Sequence, residues 1–164
     1  MKIGIVSDSH GKADRLGRAV ETLIARGAEA VVHCGDIGGE ECIDVLGGAG
    51  VAAYAVAGNM DRRLDALAAR ARQTGVHFSL DTVLVDLGDG SHLAATHGND
   101  AAALRQLLAD GRLRYLCHGH THTPRDERSG SVRVINPGAL YHARPLTVAL
   151  LDTDTDTLEH IELR

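Results

Sequence analysis

Along the chain, short apolar runs alternate with stretches in which apolar residues recur at helical spacing. Runs of the first kind predict strands at 2–7, 29–34, 51–57, 82–87, 92–96, 113–118, 131–135, 147–151 and 157–163. Leu16, Val20, Leu23 and Ile24 form an apolar stripe that ends before Gly27 and predicts a first helix. Leu64, Leu67, Ala68 and Ala71 repeat the pattern, as do Ala101, Leu104, Leu107 and Leu108. These stripes read as core positions. Strands alternating with helices indicate an α/β protein whose strands are brought together by crossovers.

The second half changes character. Asp89-Gly90 and Ser129-Gly130 lie between the later runs as hairpin turns, which predicts antiparallel pairing there and a mixed sheet. No linker or internal repeat divides the chain, so residues 1–164 are expected to form one domain with the two halves stacked as two sheets. The tract from Asp152 to Thr157 alternates Asp and Thr but lacks the glycine and distal glutamate of a calcium loop, and is expected to be a solvated hairpin turn.

Charge and composition narrow the partners. With 17 basic against 22 acidic side chains the formal net charge is −5, and only four aromatics (Tyr54, Phe78, Tyr115, Tyr141) are present. Neither a basic footprint nor a stacking platform is available, so stable nucleic-acid binding is not expected. The apolar run at the N-terminus is too short for a signal-peptide core or a membrane span, which points to the cytoplasm. Cys34, Cys42 and Cys117 show no paired spacing and read as small buried hydrophobes; Cys34 alone adjoins a candidate ligand. A homo-oligomer is left open.

The candidate chemistry lies in five fragments: Asp8-Ser9-His10, Gly35-Asp36, Gly58-Asn59-Met60-Asp61, His97-Gly98 and Gly119-His120-Thr121-His122. Alternate residues of extended chain point the same way, so Asp8 with His10, and His120 with His122, each aim two donors at one place. Every fragment follows a predicted strand. In open α/β sheets ligands bind at the carboxyl edge of the strands, so residues far apart in sequence can converge there. An aspartate after a strand often only caps the next helix, and a single histidine is often only a hydrogen-bonded core group; the joint placement at one edge is what those readings leave unexplained. Carboxylate, imidazole and amide donors without thiolate suit borderline divalent ions, with manganese favoured and nickel, cobalt, iron or zinc as alternatives. Seven donors exceed the needs of one ion. A shared aspartate between two ions roughly 3.5–4 Å apart would use them all, the arrangement employed in two-metal hydrolysis of phosphate esters.

At these residues the chain resembles the calcineurin-like metallophosphoesterase superfamily, whose pattern runs D-x-H, G-D, G-N-x-D/E, H and G-H-x-H, with every part present between residues 3 and 140. The His33-Cys34-Gly35-Asp36 context and Asn136-Pro137-Gly138 are similar to the small single-domain phosphodiesterase branch of bacteria and archaea (YfcE type). The resemblance implies a four-layer α/β/β/α sandwich of two mixed sheets flanked by helices. It also implies that Asp8, His10, Asp36 and His122 hold one ion, and Asp36, Asn59, His97 and His120 the other, with Asp36 bridging. Asp36, Asn59 and His97 would then be the catalytic set, acting on a small phosphoester, with Asp61 orienting Asn59 or a neighbouring loop.

One position departs from the pattern. Many members carry histidine after the asparagine, where it can protonate the leaving group; here it is Met60, which favours phosphodiesters over monoesters. A phosphomonoesterase, a nuclease or a non-catalytic scaffold on the same fold are the alternatives, and the complete donor set speaks against the scaffold. His33 and His118 are expected in the core, and His77, His92 and His160 as ordinary strand residues. His142 and Arg144 follow Asn136-Pro137-Gly138 on a loop within reach of the crevice, and a guanidinium there suits phosphate oxygens.

Overall fold

The computed structural model describes residues 1–163. The first half runs β1 (Lys2–Val6), α1 (Ala13–Ala25), β2 (Ala30–His33), α2 (Glu40–Gly47), β3 (Ala52–Val56), α3 (Leu64–Thr74) and β4 (His77–Ser79). β5 (Thr82–Asp86), β6 (His92–Thr96), α4 (Ala101–Leu108), β7 (Leu113–Cys117), β8 (Arg125–Ser129), β9 (Val132–Asn136), β10 (Leu146–Asp152) and β11 (Thr157–Leu163) follow. Two sheets result, one of six strands in the order β11-β10-β1-β2-β3-β4 and one of five in the order β5-β6-β7-β9-β8.

Four layers follow from which faces are apolar. In β1, Ile3 and Ile5 point between the sheets, where they meet Val32 and Val56 of their own sheet and Val83, Leu93, Tyr115 and Ile135 of the other. On the outer face of the larger sheet, Val31, Ala53 and Ala55 pack under the stripes of α1 (Leu16, Val20, Leu23), α2 (Ile43, Leu46) and α3 (Leu67, Ala71). Helix α4 alone covers the smaller sheet, with Leu104, Leu107 and Leu108 over Ala94, Leu113, Leu116 and Val132. The architecture is the α/β/β/α sandwich of two mixed sheets.

Several local expectations need correction. The two hairpin turns do form antiparallel pairs, with Asp86 opposite His92 and Ser129 opposite Val132. Yet β6 runs parallel to β7 and β7 parallel to β9, so only the outer pairs of that sheet are antiparallel. For β6 and β7 the reason is α4, a crossover that returns the chain in the same direction; for β7 and β9 it is β8, which carries the chain back at the edge. Three elements carry no strong sequence signal: α2 is eight residues long, β4 has three, and β8 (Arg-Asp-Glu-Arg-Ser) is an edge strand with every side chain exposed. The Asp152–Thr157 tract is the expected turn, closing β10 onto β11.

Candidate metal centre

β1, β2, β3 and β4 are parallel, so the segments after β1, β2 and β3 leave the larger sheet at one edge. Those after the parallel β6 and β7 leave the smaller sheet. All seven predicted ligands lie in these segments: Asp8 and His10 after β1, Asp36 after β2, Asn59 after β3, His97 after β6, and His120 and His122 after β7. Beyond β1 and β2 the backbone ladder continues, with Asp8 N donating to Gly35 O (3.0 Å), His10 N to Asp36 O (2.9 Å) and Gly11 N to Ile37 O (2.8 Å).

The conformation of these loops is unusual. Asp8, His10, Asp36, His120 and His122 have φ of 55°, 45°, 54°, 67° and 57°. A non-glycine residue in the left-handed region is uncommon, and such strain concentrates at functional sites. Close backbone approach is needed too. A Cβ on Gly58 would collide with the Asp36 carboxylate and amide, and one on Gly119 with Ser7 Oγ and Asp8 Oδ2.

The side chains converge. Asp8, His10 and His122 each bring a donor atom within 4.8 Å of the others, and so do Asp8, Asp36 and His97. Oδ2 of Asp36 lies 3.5 Å from His10 Nε2 and 3.4 Å from His97 Nε2, so this one oxygen faces imidazoles from both sheets. Oδ1 of Asp8 is 3.2 Å from His122 Nε2. On the other flank, Asn59 Oδ1 is 2.9 Å from His97 Nε2 and 3.0 Å from His120 Nδ1. All seven predicted ligands are therefore gathered at one place.

Whether these residues suit cations is decided by their lone pairs. His97 donates Nδ1–H to the Cys34 carbonyl at 2.9 Å, which aims Nε2 at the oxygens of Asp36 and Asn59. Acceptors facing acceptors repel unless a proton or cation lies among them. Asp8 Oδ1 and His10 Nε2 are buried and have no hydrogen-bond partner. Both belong to the predicted first ligand set. The donor set fits divalent metal ions.

Charge balance within the site follows the same geometry. Burial disfavours the Asp36 carboxylate, but the His97 side chain, the Met60 amide (2.8 Å) and His10 outweigh it and hold its pKa below the ordinary value. Burial likewise disfavours protonated His97, and Asp36 outweighs that, raising the His97 pKa.

Residues around the ligands fix the loops. Asp61 accepts from Gly58 N (2.8 Å), Ile37 N (3.1 Å) and Gly38 N (2.7 Å), so of the two roles expected for it, it clamps the neighbouring loop after β2 to the one after β3. Sequence reasoning missed two others. Asn136 at the end of β9 donates to Gly119 O (2.9 Å) and Thr121 Oγ1 (3.0 Å), pinning the segment that carries His120 and His122. Fully buried His33 accepts from Gly35 N at 3.2 Å through Nδ1 and therefore donates Nε2–H to Ser9 Oγ at 2.8 Å; Ser9 in turn donates to Ile37 O. The Asn136-Pro137-Gly138 fragment hinted at the first and the His33-Cys34-Gly35-Asp36 fragment at the second, whose burial was expected, but neither gave the hydrogen bonds. The Cys34 thiol lies in the core between the sheets, where burial pushes its pKa far up, so this residue serves the site through its carbonyl.

His118 is buried next to Gly98, His77 stacks on Tyr54 at 4.8 Å, and His160 donates to the Asn136 carbonyl at 2.8 Å; none joins the donor set. Met60 is half exposed at the rim of the site, and Arg144 lines a groove with Arg15 and Tyr141. No helix among the described residues is long and apolar enough to cross a membrane.

Comparison with known proteins agrees with this geometry. Residues 1–156 match the calcineurin-like phosphoesterase superfamily domain. A phosphodiesterase of Methanocaldococcus jannaschii is 28% identical over 165 residues, covering 99% of both chains. A solved structure described as a novel archaeal phosphodiesterase superposes with a TM-score of 0.90 at 29% identity, over 99% of this chain and 100% of that one. The phosphoesterase Yfce from E. coli shares the fold, with a TM-score of 0.65 at 24% identity and complete coverage of both chains. A domain match over nearly the whole length joins a full set of converging donors, and the chain belongs to the calcineurin-like phosphoesterase superfamily as a metal-dependent phosphoesterase.

Proposed function

We propose that the protein hydrolyses a small phosphodiester at a pair of divalent ions, manganese by preference, within a single domain. Asp8, His10, Asp36 and His122 would hold one ion and Asp36, Asn59, His97 and His120 the other. The observation that carries this reading is the position of Asp36 Oδ2, within 3.5 Å of His10 Nε2 and 3.4 Å of His97 Nε2. A carboxylate between two imidazoles from different sheets suits a bridging ligand. When bound, such a pair lowers the pKa of water and neutralises charge building on phosphoryl oxygens.

The protein's own groups do the rest. His97 is held by Cys34 O so that Nε2 faces the site, and the left-handed backbone at Asp8, Asp36 and His120 turns their side chains inward. Asn59 Oδ1 lies between His97 Nε2 and His120 Nδ1, where it would join both rings on the second ion. Met60, 51% exposed, offers a thioether that transfers no proton. Esters whose leaving oxygen needs little protonation are therefore favoured, which agrees with the phosphodiesterase activity named for the two relatives.

The test is a metal-by-substrate panel on chelator-stripped protein with bis(p-nitrophenyl) phosphate and p-nitrophenyl phosphate. Turnover of the diester should return with manganese, fall at least a hundredfold in Asp36→Asn, and shift toward the monoester in Met60→His. Equal activity with and without chelator would defeat the reading.

A further inference from the structure

Beside the site, on its His10 flank, lies a groove of about 680 Å³ lined by Arg15, Tyr141, His142, Arg144, Pro145 and Leu146. It adjoins the donor set directly, because the Tyr141 ring packs 5.4 Å from the ring of His10. Lys12 Nζ lies 5.2 Å from the same tyrosine ring and His142 packs against it at 3.9 Å. Arg15 is half buried and donates Nη1 to the Leu140 carbonyl at 3.2 Å, which fixes the guanidinium and leaves its other donors free.

The charge of this groove runs against the rest of the molecule. The chain carries a net charge of −5, yet among the described residues no carboxylate lines the groove. Among the described residues none of Lys12, Arg15 and Arg144 forms an ion pair, although many other surface arginines do. The opposite flank is the reverse: a cavity of about 420 Å³ beside Asn59 and His97 is lined by Leu64, Leu80, Asp81, Asn99 and Asp100, with no lysine or arginine. The two arms of a bound diester thus meet different surroundings. Unpaired guanidinium forks match phosphate oxygens, whereas the Leu80 side would repel them.

We infer that the groove formed by Arg15, Tyr141, Arg144 and the neighbouring Lys12 binds a second phosphoryl group, so that the substrates are diesters with one phosphorylated arm and one uncharged arm. This rests on the phosphodiesterase reading. The phosphorylated arm lies along Tyr141 on the His10 side, and the uncharged arm lies toward Leu64 and Leu80.

The test compares two diesters that differ only in that group: thymidine 5′-(p-nitrophenyl phosphate) and its 3′-phosphorylated form, with consumption of the diester as readout so that cleavage of either bond counts. The parent should prefer the 3′-phosphorylated substrate at least tenfold in kcat/KM. In Lys12→Gln/Arg144→Gln, which changes two exposed side chains, that ratio should fall below threefold, and Lys12→Arg/Arg144→Lys should keep most of it. A parent ratio near one overturns the inference. If neither diester is consumed, the phosphodiesterase reading fails, and calorimetry of thymidine 3′,5′-bisphosphate on metal-free protein still decides the groove. Binding by the parent that is lost in the Gln double variant sustains it, and absence of binding by the parent overturns it.

Discussion

Single residues of this site hold conformations that their types seldom adopt, and the surrounding hydrogen bonds explain why they persist. Left-handed backbone at a non-glycine residue costs on the order of 1 kcal/mol or more, and five of the seven proposed ligands carry it. Backbone bonds from Asp8, His10 and Gly11 to the loop after β2 offset that cost, and the His33–Ser9 pair ties the same two loops from below. His33 is the group there that should report on pH. Burial above all, then the nearby His97 and His10, pushes its pKa down to about 3 from the ordinary 6.5. The folded state therefore binds fewer protons at this ring than the unfolded state does. Its contribution to stability is complete above pH 6.5 and is lost progressively as pH falls toward 3. Thermal unfolding of metal-free protein between pH 7 and 4.5 should show a steeper fall in Tm for the parent than for His33→Gln; parallel curves would exclude His33 as a source. The ligands themselves were legible because metal binding demands particular donor types at particular offsets. The hydrogen bonds of Ser9, His33 and Asn136 were not, since they depend on partners that only the tertiary fold supplies.

Among the elements, the same distinction separates what periodicity reveals from what it hides. Helices α1 and α3 and strands such as β1 and β10 bury one face or both, so their apolar spacing was enough to find them. Helix α2 was missed although Cys42, Ile43 and Leu46 line its buried face, because Gly39, Gly47 and Gly48 frame the run and read as loop. Strand β8 was missed for the opposite reason: it buries nothing, and it holds its place through the ladder to β9 and the Arg133–Asp126 ion pair. The parallel pairing of β6 with β7 was hidden by the hairpin turns on either side, although the apolar stripe of 101–108 between the two strands already marked the crossover. Helix α4 provides that crossover and is short, with no fully buried residue, so its N-terminus matters more than usual. Asp100 caps it by accepting from Ala102 N (2.8 Å) and Ala103 N (3.1 Å). Removing such a cap costs about 1 kcal/mol. Asp100→Ala should lower stability to denaturant by that order and speed amide exchange across 101–108, while Asp100→Asn, an equally good cap, should do neither. Unchanged exchange in the alanine variant would show that α4 is held by its packing alone.

For the whole molecule, the decisive fact is that the donor set is divided between the two sheets. Asp8, His10, Asp36 and Asn59 come from loops of the larger sheet, and His97, His120 and His122 from loops of the smaller. Between the sheets lie apolar side chains such as Ile5, Val56, Leu93 and Tyr115, and away from the site polar contacts tie them only at the β11 side, through His160 to Asn136 O and Tyr115 and Arg133 to Asp156 among the described residues. At the carboxyl edge the polar links between the sheets converge on the donor set itself: His97 meets Cys34 O at 2.9 Å, His120 N donates to Asp8 Oδ2 at 3.2 Å, and Asn59 Oδ1 lies 2.9 Å from His97 Nε2 and 3.0 Å from His120 Nδ1. Two buried carboxylates, Asp8 and Asp36, also lie close together there. Cations bound between the sheets would relieve that repulsion and cross-link them, so binding should stabilise the entire fold. A ligand that binds only the native state at a hundred times its Kd adds about 2.7 kcal/mol. For a chain of this size each kcal/mol raises Tm by about 2–4 °C. Adding manganese to chelator-stripped protein should therefore raise Tm by about 5–11 °C, reversibly on renewed chelation. The rise should be smaller in His122→Ala and in His120→Ala, each of which removes a donor of the smaller sheet. If none of manganese, nickel, cobalt, iron or zinc moves Tm in the parent, the two sheets are not joined by metal and the proposed centre is lost with that link.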